Sequence, residues 1–283
     1  MKNEKKAASI VTYFILIAMA AITLFPIIYV ISASFKSNSE IMVHPERLFP
    51  VAPTLDNYKQ AWNSGNFRIG NMLWNSLYYS VICVVITMIT SSMGGYVFAR
   101  GKFPAKKVIF AVFSSLMFVS IGSITIYPLF DILDIFGLAH SLWGLIVMKM
   151  FGVSIINIYL VRSYVNTLPK ALDEAAEIDG CSFFGIFARI MLPLTKPIMA
   201  TVGILAFQGS WNEYLLPTIF TLTRPEQRTL IVGVVALKNS GQAAASWNLM
   251  LAGTTVALIP VLLAYAVGNK YFVSGIAAGA VKG

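Results

Sequence analysis

The chain has 283 residues, 57% of them hydrophobic and only 12% charged, with a mean hydropathy of +0.74 and a net charge of +9. Soluble domains carry roughly 25% charged residues, so the composition excludes an ordinary soluble domain and indicates an integral membrane protein. The positive excess then belongs to basic loops rather than to a nucleic-acid surface, and Cys83, Cys181, His44 and His140 give neither a metal-ligand spacing nor a disulfide framework.

A bilayer crossing needs about 20 apolar residues as a helix. Six segments qualify in chain order: Ser9–Ala33, Met72–Ala99, Val108–Phe130, Ser141–Tyr164, Ile198–Pro217 and Leu249–Val267. Single charges, Lys149 and Glu213, interrupt the fourth and fifth. The first follows Lys2, Lys5 and Lys6, as a signal peptide would, but its uncharged run from Ala7 to Phe35 is too long for one and reads as a retained span. Of the 21 Lys and Arg residues, thirteen fall on the side of the N-terminus, the loop Arg100–Lys107, the stretch Arg162–Lys196 and the tail, and seven fall on the other side. This bias predicts that both termini are cytoplasmic. The expected organisation is an N-terminal span with a first outer loop over 1–70, a core over 71–270 containing a cytoplasmic loop at 168–196, and a cytoplasmic tail over 271–283. Pro26, Pro128, Pro217 and Pro260 lie in or at the ends of spans. Helix breaks there would favour a bundle with a pathway over a simple anchor.

The densest acid cluster lies between the fourth and fifth spans, in Glu174–Pro197 with Asp173 just before it. Pro169 suits a first helical turn. Lys170–Asp179 then reads as a short helix with Ala171, Ala175 and Ile178 along one apolar stripe and Asp173 and Glu174 at its positive end. Gly180 is the expected left-handed terminator. Ser182 is placed to cap a second helix over Phe183–Met191, with Phe183, Phe187 and Ile190 at helical spacing, ended by Leu192-Pro193. Physically this is either an interfacial helix pair packed on its own bundle or a docking site for a cytoplasmic partner, with Ala175 and Ala176 leaving room for close approach.

Glu174-Ala175-Ala176, three residues, Gly180, nine residues, then Ile190-x-Leu192-Pro193 is similar to the EAA loop of binding-protein-dependent ABC importer permeases. Asn75-Ser76-Leu77, Gly95-Tyr96-Val97-Phe98-Ala99-Arg100, Trp211-Asn212-Glu213 and the tail Tyr271–Gly275 and Gly279–Gly283 resemble the carbohydrate-uptake branch, the group of the smaller membrane subunit of the maltose importer. The resemblance implies an all-α, six-span type I importer (MetI-like) bundle in a prokaryotic cytoplasmic membrane. Its loop would be a coupling helix seated in a cleft of an ATPase, carried by Glu174, Ala175, Ala176, Asp179, Gly180, Phe183, Ile190, Leu192 and Pro193. The implied partners are a second homologous permease, an ATPase dimer, an extracytoplasmic solute-binding protein and a carbohydrate. No nucleotide-binding Gly-x4-Gly-Lys occurs, Gly101-Lys102 being followed by Phe103. ATP and Mg²⁺ would therefore act on the partner ATPase, with no cofactor on this chain and no enzyme activity of its own.

Lys149 lies about 13 residues from Arg162, roughly 20 Å deep, and Glu213 has a similar depth. Ionisable groups in spans usually face the interior and pair, so the two are expected near one another along the pathway, against the alternatives of a snorkelling lysine and an outer-loop acid. Gln208, Trp211 and Asn212 offer stacking and hydrogen bonds of the kind sugars use, although a helix-face Trp also serves as an interface anchor. Another solute, such as a sugar phosphate or glycerophosphodiester, is a second reading. An ion-coupled carrier is a third, but it would call for several intramembrane acids, and only Glu213 lies in a candidate span.

Overall fold

The computed structural model describes residues 2–63, 65, 67–118, 122–239 and 247–280. Among these residues every regular element is helical. In chain order they are α1 (Lys2–Ala33), α2 (Asn38–Val43), α3 (Asp56–Asn63), α4 (Ile69–Arg100), α5 (Lys106–Ser115), α6 (Ile126–Ile135), α7 (Leu142–Phe151) and α8 (Ile155–Thr167). They continue with α9 (Ala171–Ile178), α10 (Phe183–Ile186), α11 (Leu192–Leu194), α12 (Lys196–Trp211), α13 (Leu215–Phe220), α14 (Leu230–Asn239) and α15 (Trp247–Ala280).

Helices α1, α4 and α15 are long and apolar enough to cross a bilayer unbroken, and two bent pairs, α7 with α8 and α10–α11 with α12, raise the number to five. The third expected span is not one rod. It comprises α5, residues 119–121 outside the described set, a 3₁₀ turn at Gly122–Thr125, and α6. Pro128 then sits in the first turn of α6, where its missing N–H has no helical acceptor to lose. Pro26 and Pro260 lie inside continuous helices. The break in the fourth span falls instead at the proline-free Gly152-Val153-Ser154. The fifth span ends at Trp211, earlier than the expected Pro217. The sixth runs on through the expected tail to Ala280, while 281–283 and the outer-loop residues 240–246 lie outside the described residues.

The chain forms two compact units, 1–70 with 230–259, and 71–229 with 260–283. In the first, a buried amide network holds the loop after α1: the Asn57 side chain donates to the Ser34 and Lys36 carbonyls at 2.7 Å and accepts from Asn248 Nδ2 at 2.9 Å. Lys36, fully buried, donates to the Arg47 carbonyl. No residue of the most apolar 18-residue window of α1 is buried within the chain.

In the second unit two apolar cores lie at opposite ends of α4. One packs Tyr79 and Cys83 against Leu133, Leu142, Leu145 and Phe220. The other packs Tyr96 against Val161, Val165, Ala176, Phe187 and Met191. Gly95 makes the second possible, because a Cβ there would meet the Val161 Cβ at 2.6 Å. This is the small-residue contact that lets membrane helices approach closely.

Candidate functional site

The acidic loop folds as a helix, a left-handed turn and a second helix. Gly180 has φ +78°, a conformation that L side chains avoid. Ser182 is extended and its hydroxyl accepts from the Gly185 amide at 3.1 Å, the expected N-cap. The second helix differs from expectation beyond Ile186. It becomes a π-helix over Phe187–Met191 and continues through Pro193 to Leu194, turning by 79° into α12 only at Thr195. Pro193, which removes one helical donor, follows two residues after the π-turn.

The loop has two faces. Glu174, Ala175, Asp179, Gly180, Phe183, Leu192 and Pro193 are exposed, and so is the stripe Ala171, Ala175, Ile178. Ile178 is 86% exposed and Phe184 64%, a pair of bare apolar groups flanking the turn. Ala176 is the correction: it is buried in the chain's own core with Tyr96 and Phe187, so it seats α9 rather than meeting a partner. Ile190 is half-buried against the same core.

The inward face is anchored by charge as well as packing. Arg100, the last residue of α4, places Nε 2.7 Å from Asp173 Oδ2, with side chains only 8% and 12% exposed. The N–H is not aligned for a hydrogen bond to that carboxylate, so the contact is an ion pair held by proximity. Its Nη2 donates to the Leu168 carbonyl at 2.7 Å, tying α4 to the C-cap of α8. Tyr96 packs against Phe183 and Phe187 in tilted ring pairs with centroids 4.6 and 5.3 Å apart. Nearby, Lys106 donates to the Ala99 and Gly101 carbonyls. Burial, then the charges of Arg162, Arg100 and Lys170, hold its ammonium below the ordinary lysine value. Arg100 and Asp173 were not among the sequence candidates. Their signal was the spacing of Asp173 and Ala176, three apart and hence on one helix face.

The pathway candidates divide. Trp211 is 1% exposed and stacks on Phe207 at 5.5 Å, so its ring is core and not a free platform for a sugar. Gln208 and Asn212 are exposed one helical turn apart, and the Asn212 amide caps α12 on the Gln208 carbonyl. Glu213 lies in the turn after α12 rather than inside a span, because the helix ends at Trp211. Lys149 is half-buried in the last turn of α7. It forms no ion pair with Glu213 within 4.0 Å, but both lie within electrostatic reach of the buried Cys83, beside Tyr79 and Ser210. Lys149 also lines a cavity of about 1090 Å³ bounded by α4, α6 and the break between α7 and α8.

Residues 3–277 match the model of the family described as binding-protein-dependent transport system inner membrane component. The galactooligosaccharides transport system permease protein GanQ of Bacillus subtilis (strain 168) is 32% identical over 285 residues, covering 100% of this chain and 99% of that protein. The diacetylchitobiose uptake system permease protein NgcG of Streptomyces coelicolor is 31% identical over 280 residues, covering 99% and 91%. Among solved structures, a chain of a bacterial ABC transporter involved in the import of the acidic polysaccharide alginate superposes with a TM-score of 0.78 at 26% identity, covering 95% of this chain and 98% of that one. With its all-helical bundle and its exposed acidic loop, this chain belongs to the binding-protein-dependent transport system inner membrane components, as a permease of the ABC transporter type.

Proposed function

We propose that the chain is one membrane subunit of an ATP-driven importer for an oligosaccharide or sugar derivative, and that its Glu174–Pro193 loop couples ATPase closure to alternating access. The observation that carries this is the two-faced loop. One face is fixed to α4 and α8 through Arg100, Asp173 and Ala176, and the other presents Glu174, Ala175, Ile178 and Phe184 to solvent. An exposed apolar pair beside carboxylates, on a helix pair held firmly to the bundle, is suited to receive a partner's motion and pass it on. The sugar class is supported by relatives named for galactooligosaccharides and diacetylchitobiose.

On this reading the partners are a second homologous permease, a cytoplasmic ATPase dimer that uses ATP and Mg²⁺, and an external solute-binding protein. The chain itself holds no cofactor and catalyses no reaction. It sits in a prokaryotic cytoplasmic membrane with both termini inside. The test is purification of the tagged chain from its host in mild detergent, with mass spectrometry of co-purifying proteins. A second permease and an ATPase are expected. Recovery of the chain alone, with proton- or sodium-driven uptake after reconstitution, overturns the reading.

A further inference from the structure

The loop after α4 gathers cations that acids only partly balance. Arg100, Lys102 and Lys106 line a cavity of about 640 Å³, joined by Lys170 from the start of the acidic loop. Arg100 is paired with Asp173, but among the described residues no carboxylate lies within 4.0 Å of Lys102, Lys106 or Lys170. Glu174 and Glu177 also line the cavity, so beyond the Arg100–Asp173 pair three ammonium groups share the wall with two carboxylates. The balance is more positive at Lys106, where the charges felt are those of Arg162, Arg100 and Lys170. Lys106 and Lys107 also hold the first two positions of α5, whose first turn has no acid, although the positive end of a helix disfavours cations. The same place is where apolar surface gives way to charge. Along α4 an exposed apolar stripe, Val81, Val85, Ile89, Met93 and Val97, recurs every four residues, and Val97 stands on the cavity wall just before Arg100. On α5 the change falls between Lys107 and the exposed Val108, Ile109 and Val112. Lys106 bonds the Ala99 and Gly101 carbonyls, so the two changes fall at one level. Adjacent helices that pass together from bare hydrocarbon to lysine mark the boundary between acyl chains and headgroups.

We propose that this cavity holds the headgroup of an anionic phospholipid of the surrounding leaflet, its phosphodiester among Lys102, Lys106 and Lys170 and one acyl chain along the Val97–Val81 stripe of α4. Basic clusters at the end of a membrane helix, and basic pockets between such helices, attract anionic lipid in this way. A soluble anion meets the same lysines but makes no use of the stripe, whereas a lipid matches both the charge and the apolar track that leads to it. Because Lys170 leads directly into α9, a lipid bound here bridges the acidic loop to the loop after α4. The inference needs only that the chain spans a membrane, and it stands apart from the substrate reading.

The test takes the full chain, with whatever subunits co-purify, in mild detergent. It is titrated with phosphatidylglycerol or with phosphatidylcholine, and bound lipid is counted by native mass spectrometry. Phosphatidylglycerol should bind in preference to phosphatidylcholine. K102Q and K170Q should each weaken that binding about fivefold and the double variant roughly thirtyfold, the scale of one basic side chain per step near a lipid surface. K102R should retain it, which separates loss of charge from damage to the loop. K196Q, at an exposed lysine where the acidic loop meets α12 and outside the cavity, should leave it unchanged. Glycerol phosphate, which carries the anion without the chains, should not displace the lipid at equal concentration. Equal binding of the two lipids, equal losses in K102Q and K196Q, or equal losses in K102Q and K102R overturn the site. Displacement by glycerol phosphate assigns the lysines to a soluble anion and overturns the lipid.

Discussion

At the scale of single residues, two neighbouring alanines have opposite environments. Ala175 is exposed on the outer stripe, and Ala176 is buried among Tyr96, Ile186 and Phe187. Ala176→Leu should overpack that core and cost about 1–3 kcal/mol, read as a fall in the melting temperature of the purified permease. Ala175→Leu should leave the melting temperature unchanged but block ATPase recovery in a pull-down, as should Glu174→Lys. Equal thermal stability of the two alanine variants would contradict the placement of α9. At Gly180 an added Cβ meets nothing within 4 Å, so the constraint is conformational alone. Gly180→Asn should be nearly neutral and Gly180→Val should cost about 1–2 kcal/mol, since Asn tolerates the left-handed region and a β-branched residue does not. The sequence announced this glycine and the Ser182 cap because both are local signals. It could not announce which alanine turns inward, because that depends on where α4 and α8 place Tyr96 and Val165.

At the scale of elements, the loop and the bundle meet at the Arg100–Asp173 pair. Removing one partner of a buried ion pair typically costs about 3–5 kcal/mol because the other charge is left uncompensated, while replacing both with apolar groups is often close to neutral. Arg100→Met and Asp173→Leu should each destabilise by that order, and the double variant should recover most of the loss, as measured by a thermal double-mutant cycle. Additive losses would mean that the two charges do not interact. If the pair also transmits motion, the single variants should hydrolyse ATP with little solute uptake. The apolar runs made α1, α4 and α15 readable in the sequence, α4 and α15 within three residues at the helix start and α1 at its end, because length and hydropathy alone define an unbroken crossing. The breaks were not readable. The one at Gly152–Ser154 has no proline, Pro26 and Pro260 break nothing, and the fifth helix stops at Trp211 although the apolar composition continues. In each case tertiary neighbours, rather than local propensity, decide where the ladder of hydrogen bonds is interrupted. Lys149 and Glu213 lie within reach of the same Cys83 without a direct ion pair, and Glu213 sits in the turn after α12 rather than inside a span, because depth counted along an ideal helix misplaces a residue once the helix ends.

At the scale of the whole molecule, side-chain contacts constrain the membrane topology. Arg100 touches Leu168 and Asp173, so the loop after α4 and the acidic loop after α8 lie on one side of the membrane. Between them the chain must cross an even number of times. The bent pair α7 and α8 supplies one crossing, and the segment from α5 to α6, although broken, must supply the other. Contacts at the opposite end agree: Asn75 donates to the Glu226 and Arg228 carbonyls, and the Leu142 amide donates to Gln227 Oε1. The starts of α4 and α7 therefore share the opposite side with residues 226–228. This predicts the labelling of single cysteines introduced into a background lacking Cys83 and Cys181. In intact cells an impermeant thiol reagent should reach Ser39→Cys on α2 and Asp134→Cys near the end of α6. It should reach Lys102→Cys and Asp179→Cys only after the membrane is permeabilised. The position at Asp134 decides the count. Labelling from outside makes the α5–α6 segment a true crossing and the permease a six-span protein with both ends inside. Labelling only after permeabilisation would make it a re-entrant pair, and Arg100 could then not meet Asp173 in the assembled membrane protein.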